Sequence, residues 1–542
     1  MTNRTFKAGV SREQVSLLAP RVEDYVARDN PVRAIEAYVE ALDLAALGFR
    51  HAGRGVGEAG QPPYAPADLL KLYLYGYLNR VRSSRRLEQE AERNLELIWL
   101  IRGLRPGYRT IANFRKENAA ALKAANREFV LIMRELALLG GTAVAIDGAF
   151  FHGDASKASI ATRKRLAAEL AAVDREIETY NKELDTNDAA EVERSPGSDG
   201  GGGDCADGGD LADKVATLMA RRERAQADLD RLEASGQTQV SRTDPDARLL
   251  AKSGQTVAGY NVQIAVDDKH KLIVASEVVN DGNDAGQLHE MAKAAKEALG
   301  VEKLEALADA GYYNATALKA CEDDGIVAYV PEPDRTARLE AQGRFSHEDF
   351  SYDAAADAYR CPAGELLQRT ERCQRSRDRL LIRYMSRKAV CDACPLRSRC
   401  VTEATPQRSV FRWEHEDVLE RHRVRMKEAD RPMRRRSGLV EHPFGTLKCR
   451  AGYRHFLVRG FDKVRGEWSL MALSYNLARV IGIVGLDRLI AHFAKRRAEK
   501  ATLRPQTVAA AVLCRVTALL GALWTKIAPN RAFVRIRYTP AA

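Results

Sequence analysis

The order of strand-like and helix-like segments between residues 143 and 330 constrains the fold more than any other feature of the sequence. The runs YNVQIAVD and LIVASEVV are joined by the turn DKHK and predict an antiparallel hairpin. One strand-like run precedes them, separated by a long insertion, and LEALADA and IVAYVP follow, with helical patterns between the later runs. This succession predicts an α/β fold, a mixed sheet covered by helices.

Two of these predicted strands end in an acid. Val144 and Ile146 alternate with small residues before Asp147, and the run LEALADA ends at Asp309. A strand that ends in Asp either delivers a carboxylate to the tip of the strand or simply begins a turn. Asp281 and Asp284 follow another strand, and we interpret them as helix caps rather than ligands.

A third acid, Glu441, lies in the strongly basic residues 434–468. It is either part of a salt-bridged surface helix or a metal ligand beside a bound polyanion. Two Asp residues at strand ends and a Glu on a later helix can hold two Mg²⁺ ions for phosphodiester chemistry. On that interpretation, four nearby cations contact DNA phosphates: Arg434, Arg435, Arg436 and Lys448.

The N-terminal third predicts short helices with basic turns. The leucines of LLKLYLYGYL fit a buried helix, and two further helical patterns follow it. The pattern is compatible with a helix-turn-helix DNA-binding unit or with an ordinary helical domain. The candidate DNA contacts of this region are Arg82, Arg85, Arg86 and Arg115.

The insertion at residues 161–239 has a different pattern. Apolar residues recur every three or four positions in two runs, which a Gly/Asp-rich stretch separates. We expect an antiparallel coiled-coil hairpin, because the flexible stretch allows the chain to fold back locally, although a dimerising coil fits the same repeat.

Four of the nine cysteines form another candidate site: Cys361, Cys391, Cys394 and Cys400. They can chelate a structural Zn²⁺, or remain free thiols in a reducing cell. No signal-like segment is visible at the N-terminus, so we expect a cytoplasmic protein.

The net charge of +11 suggests a polyanionic partner, either nucleic acid or an anionic membrane surface. No uninterrupted apolar run has the length of a transmembrane helix, so we expect no membrane span.

AIDGAFF, ALADAGYYN and VEHPFGTLK resemble the three catalytic blocks of DDE transposases of bacterial insertion sequences. The N-terminal helical segment resembles their DNA-binding domain, and the cysteine region resembles a subgroup with a Cys-containing insertion. The resemblance implies a ribonuclease-H-like core with Asp147, Asp309 and Glu441 binding two Mg²⁺ ions, for which Mn²⁺ can substitute. It also implies that Lys448 and an upstream Arg, most simply Arg436, contact DNA. Met433 departs from the family, because relatives often carry Tyr there, so a terminal-base contact is not implied.

We therefore expect a transposase, at least dimeric on DNA, that cuts at the terminal inverted repeats of its element and joins them to target DNA near the nucleoid. A Mg²⁺-dependent nuclease and an inactive DNA-binding protein are the alternatives. The expected domains are an N-terminal helical domain (1–140), a catalytic core (141–160, 240–335 and 431–490), a coiled-coil insertion (161–239), a Cys-containing insertion (336–430) and a C-terminal helix and tail (491–542).

Overall fold

The computed structural model describes residues 21–52, 62–192, 207–252, 254–334, 336–376, 379–403 and 405–500. Most of the Gly-rich stretch and the tail from residue 501 lie outside these residues. The chain divides into two compact units, residues 1–114 with 477–542 and residues 115–476. The domain boundaries expected from the sequence stay a prediction.

The first unit is helical. After a 3-10 helix at Val22–Tyr25 come α1 (Val32–Ala41), α2 (Pro66–Leu78), α3 (Ser84–Arg93), α4 (Leu95–Leu100) and α5 (Tyr108–Glu117), which extends past the unit boundary; a helix at Leu486–Lys500 also belongs to this unit. Leu70, Leu72 and Leu74 of α2 are fully buried, which confirms the predicted helix. The Tyr73 ring stacks on Phe114 with 6.0 Å between centroids, so apolar burial holds this unit together.

No single described helix is long and apolar enough to cross a membrane, although the bent pair Phe461–Val484 and Leu486–Lys500 meets the length and composition test together.

The second unit carries the strands and the remaining helices. Its main sheet contains β1 (Ala143–His152), β4 (Arg248–Lys252), β5 (Gln255–Asp267), β6 (Ile273–Val279), β7 (Leu304–Leu307) and β8 (Ile326–Tyr329), and a small ribbon pairs β2 (Ile160–Thr162) with β3 (Gln239–Ser241). A second sheet contains β9 (Ser351–Asp353), β10 (Ala358–Arg360), β11 (Leu366–Ser376), β12 (Arg379–Met385) and β13 (Ser409–Trp413). The mixed α/β class expected from the sequence is therefore confirmed.

The helices of this unit follow the same chain order. They are α6 (Ala119–Glu135), α7 (Arg163–Val192), α8 (Asp207–Ser235), α9 (Leu288–Leu299), α10 (Ala315–Asp323), α11 (Ala337–Ala341), α12 (Lys388–Asp392), α13 (Arg397–Cys400), α14 (Glu416–Glu428), α15 (Pro432–Phe444) and α16 (Phe461–Val484), with 3-10 helices at Lys157–Ser159 and Ala310–Tyr312 and a π-helix at Gly445–Arg450.

Strand β5 is the longest strand of the main sheet, with 13 residues. Its residues 258–267 are all buried, as expected for a strand covered on both faces. It pairs antiparallel with β1 on one side and with β4 and β6 on the other, while β1, β7 and β8 run parallel. The predicted hairpin of β5 and β6 is confirmed.

Strand β1 is longer than the sequence suggests. We expected it to end at Asp147, but it continues to His152, so Asp147 lies in its interior. The physical reason is the length of β5, which offers backbone partners to Gly148 and the residues beyond it.

Helices α7 and α8 pack against each other within one chain, as the hairpin interpretation expects. Their buried contact includes Leu166, Ala225 and Leu232. Ion pairs flank it, with Arg222 Nε 2.7 Å from Asp174 Oδ1. The heptad supercoil itself stays a prediction.

Helices α6 and α16 approach so closely that a side chain does not fit between them at Gly466. A Cβ atom there would lie 2.7 Å from the Cα atom of Ala119.

We expect Gly466→Ala to destabilise the protein by about 1–3 kcal/mol, the usual cost of overpacking. The matched control is Gly482→Ala on the same helix, where a Cβ atom meets nothing within 4 Å. Ala has a higher helix propensity than Gly, so Gly482→Ala should stabilise the folded protein by up to about 1 kcal/mol. Denaturant unfolding of both variants measures the difference, and equal stabilities would contradict the close approach.

Candidate active site

Asp147 and Asp309 meet because β1 and β7 are neighbouring parallel strands. Ala145 lies opposite Leu307 in their register, and the two acids lie the same distance beyond this pair. Asp309 begins the 3-10 helix Ala310–Tyr312, and its Oδ1 accepts a hydrogen bond of 2.9 Å from the backbone N–H of Gly311. The sequence therefore brings two acids, distant along the chain, to one edge of the sheet.

One guanidinium joins the two carboxylates. Nη2 of Arg436, on α15, lies 2.6 Å from Asp147 Oδ1 and 3.2 Å from Asp309 Oδ2, and its Nε donates to the carbonyl oxygen of Ile146 at 3.3 Å. Both carboxylates thus face a single positive charge, which is the environment that a bound metal cation would also provide.

Burial dominates the electrostatics of Asp147. It raises the pKa of this carboxyl above its ordinary value, and the negative charge of Asp309 acts in the same direction. The Arg436 charge and the N–H of Gly148 oppose the increase without cancelling it. The ionised Asp147 side chain therefore depends on nearby positive charge.

Glu441 does not join this pair as the protein stands. It lies on α15, but its side chain is exposed and makes no ion pair or hydrogen bond with the described residues. The alternative of a salt-bridged surface helix therefore has no supporting contact among the described residues. Throughout the residues that the structure describes, no three His, Cys, Asp or Glu side chains are grouped so as to hold a metal ion. The assignment of Glu441 as the third ligand stays a prediction.

The donor set nevertheless fits a hard divalent cation. Asp147 and Asp309 supply carboxylate oxygens, the ligands that Mg²⁺ and Mn²⁺ prefer, and a cationic nitrogen already lies between them.

Lys448 lies beside the pair on the π-helix that follows α15. Its Nζ donates to the carbonyl oxygen of Phe150 at 2.8 Å and lies 4.5 Å from the centre of the Phe151 ring. Burial lowers the pKa of Lys448 to about 8, and the charge of Asp147 opposes this decrease. A π-helical turn often marks a functional site, because it shifts the facing of the residues that follow.

The other predicted DNA contacts differ in their accessibility. Arg434, Arg85 and Arg86 are exposed, whereas Arg435 forms ion pairs with Asp268 and Glu305 at 2.9 and 3.0 Å. Arg82 and Arg115 are buried, and Arg115 Nη1 lies 3.3 Å from Glu467 Oε1. We therefore exclude Arg82 and Arg115 from the DNA surface proposed below.

Asp284 is a candidate that sequence reasoning missed. We interpreted Asp281 and Asp284 as helix caps, but α9 begins only at Leu288 with Gln287 as its N-cap. The buried Asp284 carboxylate instead accepts hydrogen bonds from Asn261 and Gln263 at 2.8 and 2.7 Å, and Lys252 at 3.2 Å.

The same carboxylate lies close to the backbone of β1 at Gly148 and near Gly311, in the 3-10 helix that follows β7. A Cβ atom at Gly148 would lie 2.7 Å from Asp284 Oδ1, and one at Gly311 would lie 3.9 Å from Asp284 Oδ2. Both glycines directly border the Asp147–Asp309 site. The alternation of Asn261 and Gln263 on a buried strand was the available signal, because buried amides require polar partners.

The four predicted zinc ligands also come together. Cys361, Cys391, Cys394 and Cys400 line one small cavity, and none of them forms a disulfide.

Two family profiles match the chain. Residues 20–117 match "Transposase domain (DUF772)", and residues 360–481 match "Transposase DDE domain". The second match contains Arg436, Glu441 and Lys448, while Asp147 and Asp309 precede it. No match was found among curated proteins or among solved structures. Both matches are to transposase families, and together they indicate a DDE transposase of an insertion sequence.

Proposed function

We propose that this transposase cuts DNA at the terminal inverted repeats of its element and joins the freed 3′-hydroxyl to target DNA, with Asp147, Asp309 and Glu441 as the metal-binding acids. The observation that carries the proposal is the meeting of Asp147 and Asp309 at one cationic nitrogen of Arg436. Two half-buried acids at neighbouring strands supply the carboxylate oxygens that a divalent-metal site uses.

The topology of the main sheet supports a ribonuclease-H-like core. The strand order is β4-β5-β1-β7-β8, and β6 also pairs with β5. Strands β6, β5 and β1 are antiparallel, β7 and β8 run parallel to β1, and β1 lies in the centre. We infer a ribonuclease-H-like core from the family resemblance together with this arrangement, in which the first acid lies on the central strand and the second follows its parallel neighbour.

Two Mg²⁺ ions would supply Lewis acidity and activate water or a 3′-hydroxyl for in-line attack on the phosphodiester. Asp147 and Asp309 would hold them from the sheet and Glu441 from α15. Movement of α15 that brings Glu441 to the sheet also withdraws Arg436 from the two carboxylates, since both residues lie on this helix. Arg436 then becomes free to bind a DNA phosphate.

The DNA partner is double-stranded, and two groups of cations would contact its backbone. Arg434 and Lys448 lie on the segment that carries Glu441, and Arg85 and Arg86 lie at the start of α3 in the helical unit. Pairing two element ends requires at least two copies of the chain. We propose that the reaction takes place in the bacterial cytoplasm on nucleoid DNA.

The lowered pKa of Lys448 predicts a pH dependence of DNA binding. With a pKa of about 8, Lys448 is protonated at pH 7 and loses its charge as the pH rises through 8. Binding of a labelled element end should therefore weaken between pH 7 and pH 9. Lys448→Arg should bind without this decline, because Arg stays charged throughout. The same decline in both proteins would show that another group titrates.

Strand transfer with labelled element ends tests the proposed reaction. The transposase proposal expects cut ends joined to target DNA in the presence of Mg²⁺. Cleavage without joining would favour a nuclease, and a shifted but uncut end would favour an inactive DNA-binding protein.

A further inference from the structure

Four cysteines from separate segments of the Cys-containing insertion converge on one cavity of about 30 Å³. Cys361 follows β10, Cys391 lies in α12, Cys394 follows that helix, and Cys400 ends α13. The chain makes a short turn after two of these cysteines. The N–H of Gly364 donates to the carbonyl oxygen of Cys361, and the N–H of Arg397 donates to the carbonyl oxygen of Cys394. Short turns around cysteines direct thiols toward a common point.

The sheet that carries these cysteines has a small apolar core. Five buried residues form it: Phe350, Tyr359, Leu367, Tyr384 and Val410. Cys361 and Cys400 pack against this cluster. So small a core stabilises a substructure only marginally, and small substructures commonly gain stability from a disulfide or a bound metal. A disulfide does not stabilise this sheet, because all four thiols are free.

Positive charge also borders the cavity. Arg397 and Arg408 line it, and Arg408 Nη1 donates to the carbonyl oxygen of Cys400 at 3.1 Å. The Nε of Arg408 is buried and has no acceptor among the described residues. A buried N–H without an acceptor costs free energy, so it is expected to have a partner in the functional protein. A thiolate sulfur in the cavity would provide that acceptor.

We propose that Cys361, Cys391, Cys394 and Cys400 bind one structural Zn²⁺ ion that holds the second sheet to α12 and α13. Four thiolates complete a tetrahedral site with no open position, so the ion has a structural and not a catalytic role. Binding releases the four thiol protons, and the resulting site carries two negative charges beside Arg397 and Arg408. The thiols are not grouped tightly enough to hold an ion as they stand. Binding therefore requires rotation of the cysteine side chains toward the cavity centre.

The metal content of the full-length protein tests this proposal independently of its DNA chemistry. Protein purified without chelator should contain one zinc per chain, and Cys394→Ser should contain less than a tenth of that amount. The matched control is Cys373→Ser. Cys373 is exposed on β11 and is not among the residues lining the cavity, so its replacement should leave the zinc content unchanged.

A second measurement avoids the risk that Cys394→Ser fails to fold. Wild-type protein produced with Co²⁺ in place of Zn²⁺ should show the visible absorption of tetrahedral cobalt and the charge-transfer bands of thiolate ligands. Modification of the thiols should abolish these bands. A wild-type protein that takes up neither metal, or a Cys394→Ser variant that retains a full equivalent of zinc, would overturn the proposal.

Discussion

Replacing Asp309 by Asn is expected to lower DNA cleavage by at least about a thousandfold, while binding of the element end changes little. A neutral amide does not supply the negative charge that holds a divalent cation. Metal-ion catalysis contributes several kcal/mol, and about 4 kcal/mol corresponds to a thousandfold in rate. Asp147→Asn should have the same effect. Cleavage assays with Mg²⁺ and Mn²⁺, together with gel-shift binding, measure the two quantities separately.

The loss should not come from unfolding. Because burial raises the pKa of Asp147, its ionised carboxylate costs free energy in the folded protein at neutral pH. Asp147→Asn removes that cost, and its melting temperature should equal or exceed that of the wild type. Asp323→Asn is the control, because this exposed acid on α10 pairs only with Lys319 among the described residues. Cleavage by Asp309→Asn within tenfold of the wild-type rate would exclude the proposed metal site.

Glu441→Gln distinguishes the two candidates for a third acid. If Glu441 joins the metal site when α15 moves, this variant should lose cleavage to the same extent as Asp309→Asn. If Glu441→Gln cuts at the wild-type rate and Asp284→Asn does not, Asp284 is the third acid instead.

Local patterns predicted the elements whose burial depends on their own residues. The apolar run of α2 and the β5–β6 hairpin are examples, because hydrophobic periodicity and turn length are encoded within each segment. The full length of β1 was not predictable in this way. Its second half exists because β5 is long enough to pair with it, and the length of a partner is a property of another segment.

The same distinction applies to the site. Asp147 and Asp309 were recognisable because each follows an apolar run, and the parallel pairing of β1 with β7 then brings them together. The contacts of Arg436 with the two acids were not recognisable, and those of Asp284 were signalled only indirectly, by two amides on a buried strand. Three adjacent arginines have the same local pattern, and only packing of α15 on the sheet directs Arg436, rather than Arg434, to the two carboxylates.

Arg436→Ala should destabilise the metal-free protein by about 3 kcal/mol, the lower end for a broken buried ion pair, because both carboxylates keep some contact with water. The variant leaves Asp147 and Asp309 facing each other without the cation that joins them. The effect should be larger at pH 8 than at pH 5. Since the pKa of Asp147 is already raised by burial, it rises further without Arg436, and protonation at lower pH relieves the repulsion.

Added Mn²⁺ should stabilise Arg436→Ala more than it stabilises the wild type. If Arg436 occupies the place of a metal cation, the ion has to displace it in the wild type but finds the acids free in Arg436→Ala. The variant should therefore bind Mn²⁺ more tightly without DNA, and its melting temperature should rise more on adding Mn²⁺ than that of the wild type. Arg434→Ala, an exposed position on the same helix, should match the wild type in both measurements. DNA cleavage by Arg436→Ala should nevertheless fall, because the variant lacks the guanidinium that is proposed to bind a DNA phosphate. Equal Mn²⁺ affinity in the variant and the wild type would mean that Arg436 does not compete with the metal.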